Sequence, residues 1–132
     1  MSTPAAAPDY GLPAEYEHLY SGKVRDLYRT PDDRLLFVAS DRISAYDWVL
    51  PTTIPDKGRI LTALSGFWMR TLASAAPHHL VEEDAQRFPA PFDAHVERLE
   101  GRSQYVRRAE RIDIECVVRG YLTGSGWRDY RA

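Results

Sequence analysis

Two lysines stand out in a chain that otherwise uses arginine. Of its seventeen basic residues only Lys23 and Lys57 are lysine, and each lies in a glycine-flanked polar segment. An ammonium is a point charge on a flexible stem and a guanidinium a planar fork, so the two are not interchangeable beside a phosphate. Lys23 belongs to Ser21-Gly22-Lys23-Val24-Arg25-Asp26. A glycine there permits a tight turn and close backbone approach to a ligand. Strand alternation from Lys23 puts Lys23, Arg25 and Leu27 on one face, opposite Val24, Asp26 and Tyr28. Two cations beside a glycine turn could hold nucleotide phosphates. The segment is not a Walker A loop, because it lacks the spaced glycine and the hydroxyl residue after the lysine. A hairpin with solvated charges has the same composition and is the commoner source of such a pattern.

Lys57 closes a second polar region. Ser40-Asp41-Arg42-Ile43-Ser44-Ala45-Tyr46-Asp47 is followed by Pro55-Asp56-Lys57-Gly58. Carboxylates, hydroxyls and a lysine crowd a loop that enters a helix, and a helix N-terminus favours anions. Equally, Asp and Ser in such a loop can satisfy their own backbone as caps and turns. A third segment, Glu115-Cys116-Val117-Val118-Arg119-Gly120-Tyr121-Leu122-Thr123-Gly124-Ser125-Gly126-Trp127, brings Arg119 to a turn of three glycines. Ser125 is placed there as a helix N-cap. An arginine, a hydroxyl and helix N–H groups together make a phosphate site, although a glycine-rich strand-to-helix turn with a capping serine accounts for the same residues.

Other chemistry is poorly supported. Cys116 is the only cysteine, so no internal disulfide forms, which suits a reducing cytoplasm. With no basic neighbour on its own face it reads as a packed core thiol. His18, His78, His79 and His95 lack metal-ligand spacing. A net charge of -2 gives no reason to expect nucleic acid or an acidic membrane. The arginines after residue 97 do not interleave with exposed aromatics as an RNA-binding stripe would. No apolar run approaches the roughly 20 residues that span a bilayer. Residues 1–15 read as a loose terminus without a secretory signal's basic start or apolar core.

These segments need elements to position them. A turn at Ser21-Gly22 leads into a strand through Arg29, and Leu35-Leu36-Phe37-Val38-Ala39 suits a buried strand. Residues 40–57 read as a shaped loop with short extended pieces. Ile60, Leu61, Leu64, Phe67, Trp68 and Leu72 recur with helical period, predicting an amphipathic helix from Gly58 that ends by Pro77. A strand over 79–81, a weak helix over 92–99, strands over 103–108 and 114–121, and a helix opening at Trp127 complete the chain. One long packed helix among six or so short strands predicts an α+β domain with a mostly antiparallel sheet.

Taken together, residues 21–28, 40–47, 54–58 and 115–127 resemble SAICAR synthetase, the phosphoribosylaminoimidazole-succinocarboxamide synthase family. Each motif alone is modest; four in the family's order and spacing are specific. The resemblance implies a small ATP-binding lobe over 16–112, the start of a second ATP-grasp-like lobe over 113–132, and a chain that stops before that lobe is complete. It implies ATP-driven joining of the carboxylate of CAIR to the amine of L-aspartate through an acyl phosphate, in the cytoplasm. Gly22, Lys23 and Arg25 would sit over the ATP phosphates, with Arg107 and Glu115 bounding an adenine-contacting hinge. Arg119 and Ser125 would bind the ribonucleotide 5′-phosphate, and Ser44, Asp47 and Lys57 match the substrate loop. Mg²⁺ would assist, its ligands expected beyond Ala132, with no metal ligands assigned in this chain. Arg107 and Asp113 depart from the lysine and proline common in relatives. A competing expectation is a non-enzymatic nucleotide-binding or assembly module derived from the same lobe. An apolar inner face that the second lobe would normally cover would promote self-association.

Overall fold

Residues 25–29 and 35–39 bury alternate side chains, the period-two pattern of a strand, while 103–106 are buried throughout. The computed structural model describes residues 10–46, 48–89, 95–110, 112–114 and 116–132. Its strands are β1 (Glu17–Ser21), β2 (Arg25–Arg29), β3 (Leu35–Ala39), β4 (Ser44–Ala45), β5 (Trp48–Val49), β6 (Leu80–Glu82) and β7 (Ser103–Val106). Its helices are α1 (Lys57–Thr71), α2 (Val96–Leu99) and α3 (Gly124–Arg131). One antiparallel sheet runs in the order β1-β2-β3-β7-β6, while β4 and β5 pair as a separate ribbon. The expected α+β class with a mostly antiparallel sheet is what the chain forms.

Register places Tyr28 opposite Leu36 and Leu36 opposite Tyr105, a row that crosses three strands on one face. Val38, Tyr16, Ala85, Phe88 and Leu99 join that row in a single core. Burying each large side chain contributes about 1.5–3 kcal/mol. Tyr10 and Leu12, which the sequence assigns to a loose terminus, pack against this core.

The other face of the sheet receives α1, which lies against β3 and β7. The helix does not bury its apolar stripe. Gly58, Thr62 and Gly66 are its buried residues. Ile60, Leu61, Leu64, Phe67, Trp68 and Leu72 all remain 40–59% exposed. Close approach explains the choice of face. A Cβ at Gly58 would stand 2.5 Å from the carbonyl oxygen of Ala39, a backbone atom that cannot step aside. Small residues four apart therefore let the helix axis approach the sheet, and the larger apolar side chains point away from it.

Several elements differ from expectation. Helix α1 ends at Thr71 rather than running to Pro77, and Ala75 and Ala76 turn back onto the Leu72 carbonyl. Strand β1 was not anticipated; it is an edge strand, largely exposed along its length, so its sequence shows no buried alternation. Of the strand expected over 114–121, the described residues form none. Ile114, Val117, Val118 and Tyr121 are 59–98% exposed, and a strand needs a neighbour to accept its backbone hydrogen bonds. Cys116, expected in the core, is likewise exposed. Residues 92–94 of the weak helix lie outside the described residues, and the single turn that follows buries Leu99.

The steric account of α1 predicts that Gly58→Ala destabilises the chain by about 1–3 kcal/mol, despite alanine's better helix propensity. Ile60→Ala, on the outward stripe, should shift stability by no more than about 0.5 kcal/mol. Urea unfolding of both variants checks the ranking; a neutral or stabilising Gly58→Ala contradicts the close contact.

Candidate functional site

The turn between β1 and β2 is held from below. Gly22 donates its N–H to the Arg25 carbonyl at 2.7 Å, and a Cβ on Gly22 would meet that oxygen at 3.2 Å and the Tyr20 ring at 3.1 Å. Glycine is thus the residue that fits. Lys23 lies in the turn, not in the strand, because β2 begins at Arg25; the alternation expected from Lys23 holds only from Arg25 onward. Both cations are exposed, and the Arg25 guanidinium stands 5.7 Å from the centroid of the Phe37 ring.

On the opposite side of β2, Asp26 is fully buried. Its carboxylate accepts from Arg42 Nη2 at 2.9 Å and from the Tyr10 hydroxyl at 3.0 Å. Burial, reinforced by the neighbouring Asp26 charge, raises the Tyr10 phenol pKa well above its ordinary value, which keeps it a donor. Arg42 also donates to the carbonyl oxygens of Gly22 at 3.1 Å and Lys23 at 3.4 Å. Ser40 completes the set: its N–H and hydroxyl reach the Val24 carbonyl at 2.9 and 3.0 Å. Three successive carbonyls of the turn are therefore bonded by one short segment.

Asp41, between those two residues, faces elsewhere. One oxygen accepts the Gly58 N–H at 2.9 Å and the other accepts from Arg102 at 3.3 Å. Burial acts to raise its pKa, but the Gly58 N–H and the Arg102 cation outweigh that and hold it below the usual carboxylate range. Ser40 and Asp41 are thus bonded to groups of other segments, the Val24 carbonyl, the Gly58 N–H and the Arg102 guanidinium. Ser44 sits in β4 opposite Val49, and Lys57 opens α1 with its N–H on the Ile54 carbonyl at 3.1 Å. Asp47 lies outside the described residues.

The remaining candidates follow the sheet. Arg107 leaves the end of β7, its N–H bonded to the His79 carbonyl at 2.8 Å and its side chain exposed. Glu115 lies outside the described residues. Arg119 donates to the Ser125 hydroxyl at 3.3 Å, and Gly126 leaves room for it, since a Cβ there would approach Arg119 Nε to 3.3 Å. Thr123, not Ser125, takes the N-cap position of α3, and no side chain caps the helix. Gly124, with φ of 58°, starts the helix one residue before Ser125, which places that serine within the first turn.

Hydrogen bonds thus gather the candidates into two groups: Gly22, Lys23 and Arg25 around the turn, and Arg119 with Ser125. Among the described residues, Ser44, Lys57 and Arg107 join neither. Sequence reasoning missed Arg42, Asp26, Tyr10 and Arg102. The signal was Asp26, an acid alternating with apolar Val24 and Tyr28 on the inward face, where a carboxylate requires a partner. Among the described residues no group of three His, Cys, Asp or Glu side chains could hold a metal ion, and no helix is long and apolar enough to cross a membrane.

Known proteins resemble this chain over most of its length. The family described as SAICAR synthetase matches residues 18–132. A phosphoribosylaminoimidazole-succinocarboxamide synthase from Thermodesulfovibrio yellowstonii is 53% identical over 86% of this chain, and one from Saccharopolyspora erythraea 52% identical over 89%. The chain spans only 38% and 37% of those relatives' lengths. Among solved structures, a SAICAR synthase from Saccharomyces cerevisiae complexed with SAICAR superposes with a TM-score of 0.76 at 40% identity, over 91% of this chain and 42% of that one. A second, titled SAICAR synthase, gives 0.80 at 38% identity, over 98% of this chain and 45% of that one.

The depressed carboxyls make stability pH-dependent. Burial works against ionisation of Asp32 and Asp41, yet hydrogen bonds from Thr30 and Tyr105 to Asp32, and the partners named above for Asp41, lower both pKa values; backbone N–H groups of Asp84 and Glu83 lower that of Glu82. A folded-state pKa below the unfolded one stabilises above the unfolded value of about 4, and this contribution disappears as pH falls through the folded value. These carboxyls should therefore make the urea midpoint fall below about pH 4, with Asp41→Asn showing a shallower fall. A midpoint independent of pH down to about 3 contradicts the assignment.

Proposed function

Because this chain belongs to the SAICAR synthetase family, we propose that it carries the phosphate-loop half of an ATP-dependent ligase of purine biosynthesis. The reaction joins CAIR and L-aspartate to give SAICAR, ADP and phosphate. The observation that carries this reading is the glycine turn, with exposed Lys23 and Arg25 at its rim and its carbonyl oxygens bonded from beneath by Ser40 and Arg42. Such a rim presents cations rather than lone pairs to an anion.

The chemistry needs phosphates held in place. A carboxylate oxygen is a poor leaving group. Transfer of the γ-phosphoryl group from ATP to the CAIR carboxylate releases ADP and forms an acyl phosphate. The aspartate amine then attacks the acyl carbon, the C–O bond to phosphate breaks, and the amine loses a proton as the amide forms. Lys23 and Arg25 would neutralise phosphate oxygens during the transfer, while Arg119, the Ser125 hydroxyl and the first turn of α3 would receive the ribonucleotide 5′-phosphate. Arg107 and the residues to Glu115 would border the adenine, and Ser44, Asp47 and Lys57 the substrates. Mg²⁺ would supply further charge neutralisation on the phosphates, but the described carboxylates do not form a site for it. A cytoplasmic setting suits both the pathway and the lone cysteine.

The exposed stripe of α1 supports a second role for this half, as an assembly surface that buries Phe67 and Trp68 against a partner or another copy.

Calorimetry should detect weak binding of Mg-ATP to the 132-residue chain, and Lys23→Ala with Arg25→Ala should weaken it by about tenfold or more. The same chain should form no SAICAR alone. Wild-type affinity in the double variant contradicts the phosphate role, and turnover by this chain contradicts the half-site.

A further inference from the structure

We propose that Arg42 is the positioning residue of the glycine turn, acting through the backbone that it holds rather than on a ligand. The inference rests on the phosphate-binding reading of that turn. Arg42 comes 16 to 20 residues after its partners, and its one guanidinium serves three acceptors on two sides: Nη2 reaches Gly22 O at 3.1 Å and Asp26 Oδ1 at 2.9 Å, and Nε reaches Lys23 O at 3.4 Å. Its side chain is 13% exposed and that of Asp26 is fully buried, so the pair sits beneath the turn rather than at its rim.

Peptide geometry gives this arrangement its consequence. In a trans peptide unit the carbonyl and the following N–H point in opposite directions. The Gly22 and Lys23 carbonyls point at Arg42, and the Val24 carbonyl at Ser40. The N–H groups of Lys23 and Val24, which follow the Gly22 and Lys23 carbonyls, therefore point away from Arg42. Successive amides aimed one way form a concave anion-binding edge. Arg42 supplies a positive charge behind that edge as well as fixing its shape, and Asp26, which Tyr10 also contacts, fixes Arg42.

The planar fork is essential. Lysine would keep one positive charge near Asp26, but a single ammonium lacks the planar fork and cannot reach all three acceptors in the same geometry. Arg42→Lys is accordingly the decisive variant. Hydrogen exchange by mass spectrometry on the full chain should show the Gly22 and Ser40 amides, whose hydrogen bonds to the Arg25 and Val24 carbonyls close the turn, exchanging about tenfold faster or more, while those of β3 and α2 keep wild-type protection. Mg-ATP affinity, and that of inorganic tripolyphosphate as a probe of phosphate alone, should weaken by about tenfold. Unchanged exchange at the turn overturns the proposal, as does faster exchange spread evenly through β3 and α2, which makes Arg42 a residue of global stability only. Should Arg42→Lys not fold, Asp26→Asn keeps an acceptor for the fork while removing the charge that braces it. That variant should show a smaller increase confined to the same amides, and an unchanged or uniformly distributed increase again overturns the proposal. Wild-type chain that binds neither probe defeats the phosphate reading, whereas the exchange pattern still decides whether Arg42 holds the turn.

Discussion

A carboxylate with no exposed surface sits between the aromatic core and the turn that joins the first two strands. Leaving a buried charge without a partner costs several kcal/mol, enough to unfold an ordinary domain. Asp26 therefore requires Arg42, and Arg42 reaches it only if the chain after β3 passes directly beneath the β1–β2 turn. That passage accounts for the adjoining contacts. Ser40 meets the Val24 carbonyl, and Asp41 is turned toward the first turn of α1 and toward Arg102. Three consecutive residues thus tie together the glycine turn, the helix and the segment that enters β7. A buried pair does not by itself add stability relative to apolar packing, but once present it specifies which backbone groups lie where.

How much of this was legible in the sequence depends on where each signal is written. Leu35 to Ala39 announced a buried strand because continuous apolar residues have few alternatives, and the helical period from Ile60 to Leu72 announced α1. Its orientation was not legible: a hydrophobic stripe normally marks the buried side, whereas here Gly58, Thr62 and Gly66 permit a contact too close for any larger side chain. The stretch from Ile114 to Tyr121 alternates as a strand should, but alternation cannot supply a neighbouring strand, and its described residues stand in solvent. The exposed edge strand β1 gave no alternation to find.

The candidate site divides along the same line. Gly22, Lys23, Arg25, Arg119 and Ser125 stand out in the sequence by residue types that could hold phosphate, and the hydrogen bond of Arg119 to Ser125 follows from their spacing around a glycine turn. Arg42 escaped notice because it was read together with its polar neighbours as part of a substrate loop. Its burial and its three acceptors are tertiary facts, set by the register of β2 against β3. The apolar side of α1 belongs to this division too. The chain spans about two-fifths of its curated relatives' length, at 38% and 37% for two of them. A stripe containing Phe67 and Trp68 is the kind of surface that further structure would cover.

The central claim is that the chain presents two separate phosphate-binding places, one built on a turn and one on a helix start. An ¹⁵N-NMR titration tests it most directly. Mg-ATP should shift the amides of Lys23, Val24 and Arg25, whereas a ribonucleoside 5′-monophosphate should shift those of Ser125 and Gly126 with little effect on the turn. Both ligands moving one common set of amides, or neither moving the turn, contradicts the account.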